Sequence, residues 1–168
     1  LGNQTLMNKP KKVISYKCFK SNFVTRKLVK DLRGKKQAGT YLLFCRYRKE
    51  VDQWMELFKR SKIVALGCKG GEVAEFIKNL EKEKNPKVIV STSALSHGVN
   101  LPIISKVYIN YAIENTDFWN QMVGRGGRNG SPFEVYQMDS QKGLILDFID
   151  AVLDMAFQRV IRINILNK

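Results

Sequence analysis

The sequence predicts an α/β fold whose mainly parallel sheet is covered by helices on both faces. Three observations carry that reading. Short apolar runs alternate with amphipathic helical stretches along most of the chain, as in strand–helix–strand crossover units. The runs are continuous rather than alternating, as strands buried on both faces are. The chain has 168 residues, 44% of them hydrophobic, about one domain's worth and enough to bury a core without a disulfide or metal staple.

The elements follow in order. Ile14, Tyr16 and Cys18 alternate with polar neighbours and predict a short strand. Ser21 or Asn22 is placed to cap a helix in which Val24, Leu28 and Leu32 recur every four residues, and Gly34 closes it. Tyr41–Cys45 reads as a strand buried on both sides. Val51, Trp54, Met55 and Phe58 then mark a helix. Ile63–Leu66 reads as a second buried strand, followed by a helix marked by Val73, Phe76, Ile77 and Leu80. Val88–Val90, Val107–Ile109 and Phe133–Tyr136 are three further strands, with a short helix around Phe118–Val123 before the last. A long amphipathic helix with Ile145, Phe148, Ile149, Val152, Ala156, Val160 and Ile163 inward ends the chain.

Composition narrows the function. The formal net charge is +14. Residues 1–49 hold 14 Lys and Arg against the single acid Asp31, and the remainder is almost balanced. A basic block of that density suits a polyanion, most simply nucleic acid, although a solvated linker or polar helix face gives the same composition. The basic stretch has no broad apolar face to lie on a membrane, and the apolar runs are too short to span one. No signal peptide pattern is present. Cys18, Cys45 and Cys68 lie more than twenty residues apart and His97 is the single histidine, which excludes a clustered zinc site and suggests reduced core thiols in a cytoplasmic protein, or a nuclear one in a eukaryote. The start at Leu1 suggests a piece of a longer chain. Charge divides it into a basic lead-in over 1–38, comprising linker, strand and helix, and a domain over 39–168.

In a parallel sheet, ligands sit at the carboxyl ends of strands. Ser91–Pro102 follows one such end and clusters hydroxyls, Gly98 and Asn100. Hydroxyls donate to phosphate oxygens, and a glycine lets backbone amides approach an anion; a capped turn entering a short helix would use the same residues. Gln121–Gly130 places Arg125 and Arg128 three apart among four glycines. Two forked guanidiniums over unobstructed backbone suit a triphosphate, while a Gly-rich surface loop without a ligand would have to recover the entropy those glycines cost.

The string Gln-x-x-Gly-Arg-x-Gly-Arg at 121–128 resembles motif VI of superfamily 2 helicases. Val88–Pro102 resembles their motif V, with Gly98–Pro102 nearest the DExH branch that includes the Ski2-like helicases, and Leu42–Tyr47 resembles motif IV. The resemblance covers roughly residues 13–140. It implies the second, C-terminal RecA-like domain, a three-layer αβα sandwich, of an ATP-dependent helicase that binds RNA or DNA. ATP would lie between this domain and a first RecA-like domain of the same chain, which would also hold Mg²⁺.

By matching position, the resemblance makes Arg125 and Arg128 arginine fingers, worth roughly 10³–10⁵ in rate in related nucleotidases. Gln121 would sense the γ-phosphate, Gly98 and Gly124 would lie near the nucleotide, and Asn100 near its ribose. Thr92 would contact the nucleic-acid backbone. Arg46, Arg48 and Lys49 follow motif IV at a strand-to-helix turn, a natural phosphate contact. His97 replaces a common DEAD-box arginine and reads as a polar packing residue rather than a general base. Gly126 replaces a common Ala or Thr, which suggests a more mobile loop. Lys69-Gly70-Gly71 reads as the turn before a helix.

No G-x-x-x-x-G-K-[ST] loop and no D-E-x-[DH] pair occurs in the chain, so the fragment by itself is expected to be inactive on ATP. Two alternatives use the same features: a double-stranded DNA translocase, and a nucleic-acid-binding module without catalysis. Phe118 and Trp119 are candidate stacking aromatics for a single strand, with core packing the favoured role.

Overall fold

In a computed structural model of the chain, residues 9–16, 21–34, 39–96, 98–127 and 130–138 are described, together with Val152. Six parallel strands form one sheet in the order β1-β6-β5-β2-β4-β3. They are β1 (Lys12–Tyr16), β2 (Thr40–Phe44), β3 (Ala65–Cys68), β4 (Val88–Ser91), β5 (Ile104–Ala112) and β6 (Glu134–Met138). The helices are α1 (Ser21–Arg33), α2 (Arg48–Arg60), α3 (Val73–Lys82) and α4 (Thr116–Val123), with a 3₁₀ turn over Ser93–Leu95.

Both faces of the sheet are covered, as the continuous apolar runs predict. Along β2, Tyr41 and Leu43 pack with Val24, Leu28, Trp54 and Phe58 of α1 and α2. Leu42 and Phe44 face the other way, toward Phe76, Met122 and Val123 of α3 and α4. One strand thus supplies both cores because successive side chains alternate across a sheet. β1 pairs with β6, and α1 packs on the same sheet, so this part of the basic lead-in is built into the fold.

Four details differ from the sequence reading. The expected strand at 63–66 lies two residues later, at the sheet edge, and is half-buried; Val64 precedes it and is 46% exposed. An edge strand lacks a strand neighbour on its outer side, so β3 is only half-covered although Ala65 and Leu66 pack into the cores on its two faces. Ile77 is likewise exposed, because α3 covers this narrow edge and buries only Phe76 fully. The strand expected at 107–109, β5, extends from Ile104 to Ala112. Val152, expected inward, is helical and 49% exposed, with the rest of the expected C-terminal helix outside the described residues, as are Cys18, His97 and Arg128. No described helix is long and apolar enough to cross a membrane.

Candidate nucleic-acid and nucleotide surfaces

The carboxyl ends of β2, β4 and β3 finish in step. The Cys45 amide donates to the Ser91 carbonyl at 2.8 Å, and the Thr92 amide to the Cys68 carbonyl at 3.1 Å. The loops that follow therefore share one rim.

Arg46, Arg48 and Lys49 stand exposed on this rim, at the start of α2. The Tyr47 amide donates to Glu50 Oε1 at 3.0 Å, which fixes the helix entry. Burial pushes the Glu50 carboxyl above its ordinary range, with that hydrogen bond opposing the shift. Arg46 lies over the Tyr111 ring, 5.3 Å from its centre. Arg48 donates to the Gly70 carbonyl and pairs with Glu72 at 3.6 Å. Lys69 reaches Asp52 at 3.1 Å and Glu72 at 3.6 Å. Lys69-Gly70-Gly71 is the turn before α3, and Gly71 has φ +85°, where a side chain would be strained.

Thr92 reaches the same rim from β4 but is buried, and its Oγ1 accepts from the Ala94 amide at 3.5 Å. The capped-turn reading of this segment is thus realised over Ser93–Leu95. A hydroxyl that accepts one bond still carries a proton to donate.

The second group of candidates occupies a different place. After the 3₁₀ turn, the chain crosses from the carboxyl end of β4 to the amino end of β5. Gly98 on this crossover has φ +86° and open space around it, and Asn100 is exposed. α4 begins under an Asn115 cap, whose Oδ1 accepts from the Phe118 amide at 2.9 Å. It ends at Gly124, with Gln121 exposed on its last turn. Arg125 is half-buried and donates to the Val99 carbonyl. The Gly127 amide donates to the Ile104 carbonyl at 2.7 Å, which ties the Gly-Arg turn to the amino end of β5. The carboxyl-end rule therefore locates Arg46, Arg48, Lys49 and Thr92, but not Arg125.

Gly126 has a packing reason. A Cβ there would collide with the buried Phe133 ring. Phe118 and Trp119 pack against the second core, and the Trp119 indole donates to Gln137 at 2.5 Å; neither is presented as a stacking surface. Cys45 and Cys68 are buried free thiols. Burial raises both, Cys68 to about 11. A cavity of about 730 Å³ lies at the amino ends of the strands, lined in part by Thr40, Lys87 and Ile103. None of the candidate residues lines it.

Residues 23–130, more than half of the chain, match the helicase conserved C-terminal domain family. The chain belongs to that family. This helicase C-terminal domain has the RecA-like fold of DEAD-box proteins. It is similar to Escherichia coli SrmB, solved bound to the regulator of ribonuclease activity A, at 21% identity and TM-score 0.60 over 77% of this chain and 76% of that one. It is also similar to the C-terminal domain of the DEAD-box protein Dbp5, at 16% identity and TM-score 0.58 over 93% and 86%. Among curated proteins, Hachiman protein HamB of Bacillus cereus is 34% identical over 80 residues. That alignment takes in 42% of this chain and 7% of HamB, so the chain covers a small part of that relative's length.

Of the residues that a nucleotide would need by resemblance, Gln121 and Asn100 are exposed, the backbone at Gly98 is open, and the Arg125 guanidinium is engaged by the Val99 carbonyl; amide and guanidinium groups are donors of the kind a phosphate-bearing ligand accepts from. Among the described residues, no cluster of His, Cys, Asp and Glu is able to hold a metal ion.

Proposed function

We propose that this domain is the second RecA-like half of a superfamily 2, DExH-type motor of the Ski2-like branch, driven by ATP along RNA or DNA. The observation that carries the reading is the bond from Arg125 to Val99, which locks the Gly-Arg turn onto the crossover. Two segments 26 residues apart, each resembling a helicase motif, are thereby joined.

In this reading the lead-in over 1–38 arrives from the first domain and contributes β1 and α1 to the motor half that 39–168 completes. The protein works in the cytoplasm, or in the nucleus of a eukaryote. Bound ATP supplies the phosphoanhydride whose hydrolysis drives the cycle, and the absent first domain holds its Mg²⁺. Arg128 supplies positive charge toward the γ-phosphate, and Gln121 closes over it. Gly98 and Gly124 leave backbone open beside the nucleotide, and Asn100 offers an amide to its sugar. Arg125 links this wall to the crossover, so its movement is transmitted to the loop that begins at Thr92. The rim at Arg46, Arg48 and Lys49 holds phosphates of the strand.

The test is ATP turnover by the full-length protein, with single-stranded RNA, single-stranded DNA and duplexes. Polymer-stimulated turnover should fall by roughly 10³-fold or more in Arg128→Ala, the lower range for an arginine finger, with nucleic-acid binding retained. Arg125→Ala should lose turnover and also weaken polymer stimulation. No turnover with any polymer would leave a binding module, and turnover untouched by Arg128→Ala would remove the arginine-finger role. Stimulation by duplex alone, without strand separation, would indicate a double-stranded DNA translocase.

A further inference from the structure

Tyr47 is the most exposed large apolar side chain among the described residues, at 55%. It stands on the rim between Arg46 and Arg48, with Lys49 next. Its backbone amide is held by Glu50, and the guanidinium of the following residue, Arg48, reaches the Gly70 carbonyl across the rim. The α2 cap is made by backbone and by Glu50, so the ring is not needed to start the helix.

The surroundings favour a flat ligand beside an anion. Arg46 rests on the half-buried Tyr111 ring, which holds its charge in place next to Tyr47. The Gly70-Gly71 turn across the rim is met by the Arg48 guanidinium, which draws that cation away from the Tyr47 ring and leaves the ring exposed. The acids nearby are already engaged: Glu50 by the Tyr47 amide, Asp52 by Lys69, and Glu72 by Lys69 and Arg48. An exposed aromatic ring among cations at a strand-to-helix turn is the arrangement on which an unpaired base stacks while its phosphates meet the cations.

We propose that Tyr47 is a stacking platform for an unpaired nucleobase, which makes the strand on this rim single-stranded rather than duplex. This rests on the nucleic-acid role proposed above. Bases inside a duplex already stack on one another and offer no free face to a ring on the rim. The platform therefore selects against duplex, whereas Arg46, Arg48 and Lys49 hold phosphates of either form.

The experiment measures binding of the full-length protein to a single-stranded oligonucleotide and to an abasic oligonucleotide with the same phosphates, at one salt concentration. Wild type should prefer the base-bearing strand. Tyr47→Leu should weaken that complex by roughly tenfold, within the range of one stacked base, and leave the abasic complex unchanged. Tyr47→Phe should keep the preference, because the ring and not the hydroxyl carries it. Unchanged melting temperatures would confirm that both variants fold. If wild type binds and Tyr47→Leu binds equally well, the platform is refuted and the nucleic-acid role stands. If wild type binds neither strand, both fail.

Discussion

A side chain at Gly126 has no room. The Phe133 ring occupies the place where a Cβ would project, and that ring is itself buried. Gly126→Ala should therefore force the turn or the ring to move, costing about 2 kcal/mol as overpacking does, read as a lower urea midpoint. Gly67→Ala is a useful control. Its Cβ would meet the Met55 side chain at 2.9 Å and Val51 Cγ1 at 3.2 Å, and a flexible thioether yields more readily than a packed ring. Equal midpoints for Gly126→Ala and wild type would remove the packing account. In the sequence, Gly126 suggests mobility, because the ring that needs the space lies seven residues away across a turn of unknown course.

Among the elements, α1 shows how a basic helix is docked. Asp31 is 8% exposed and accepts from the Tyr108 hydroxyl at 2.5 Å. It also meets Lys27 at 3.0 Å and Lys106 at 3.2 Å. The Tyr108 ring stacks on Tyr136 at 5.3 Å, so one carboxylate joins α1 to β5 and, through the rings, to β6. Asp31→Ala leaves Lys106 and Tyr108 without this partner and should cost about 3 kcal/mol, as removal of one member of a buried pair does. The check is again a denaturant midpoint.

Burial, aided by hydrogen bonds to Asp31 and Glu134, pushes the Tyr108 and Tyr136 phenols far above their ordinary range. Unfolded phenols lose protons from about pH 10, whereas the folded ones keep theirs. Their contribution is thus fully present below that pH and is lost as pH rises above it, by about 1.4 kcal/mol per pH unit for each group. Melting temperatures between pH 9 and 11.5 should fall less steeply in Tyr136→Phe than in wild type. Parallel slopes would contradict the assignment.

At the scale of the whole molecule, two surfaces occupy different places on one sheet. The cationic rim follows the carboxyl ends of β2, β4 and β3, whereas the Gly-Arg turn is tied to the amino end of β5. Positive charge dominates the first third of the chain. Affinity for oligonucleotides should therefore fall steeply with salt, and Arg46→Ala should reduce the logarithmic slope by about 0.7 on a single strand. Anisotropy titrations at several salt concentrations measure this. A salt-independent affinity would exclude phosphate contacts as the source of binding.

The order and type of the elements, the charge asymmetry and the three helicase-like strings are determined by the sequence itself. Each is local: a period of two or 3.6, a cap, or a contiguous motif. Strand order, the edge position of β3, the Arg125 bond to Val99 and the exposure of Tyr47 are decided by tertiary structure. The reason is separation along the chain. Tyr108 meets Asp31 across 77 residues, Thr40 meets Pro86 across 46, and Arg125 meets Val99 across 26. No local period encodes those pairings, and only packing of the whole sheet selects them.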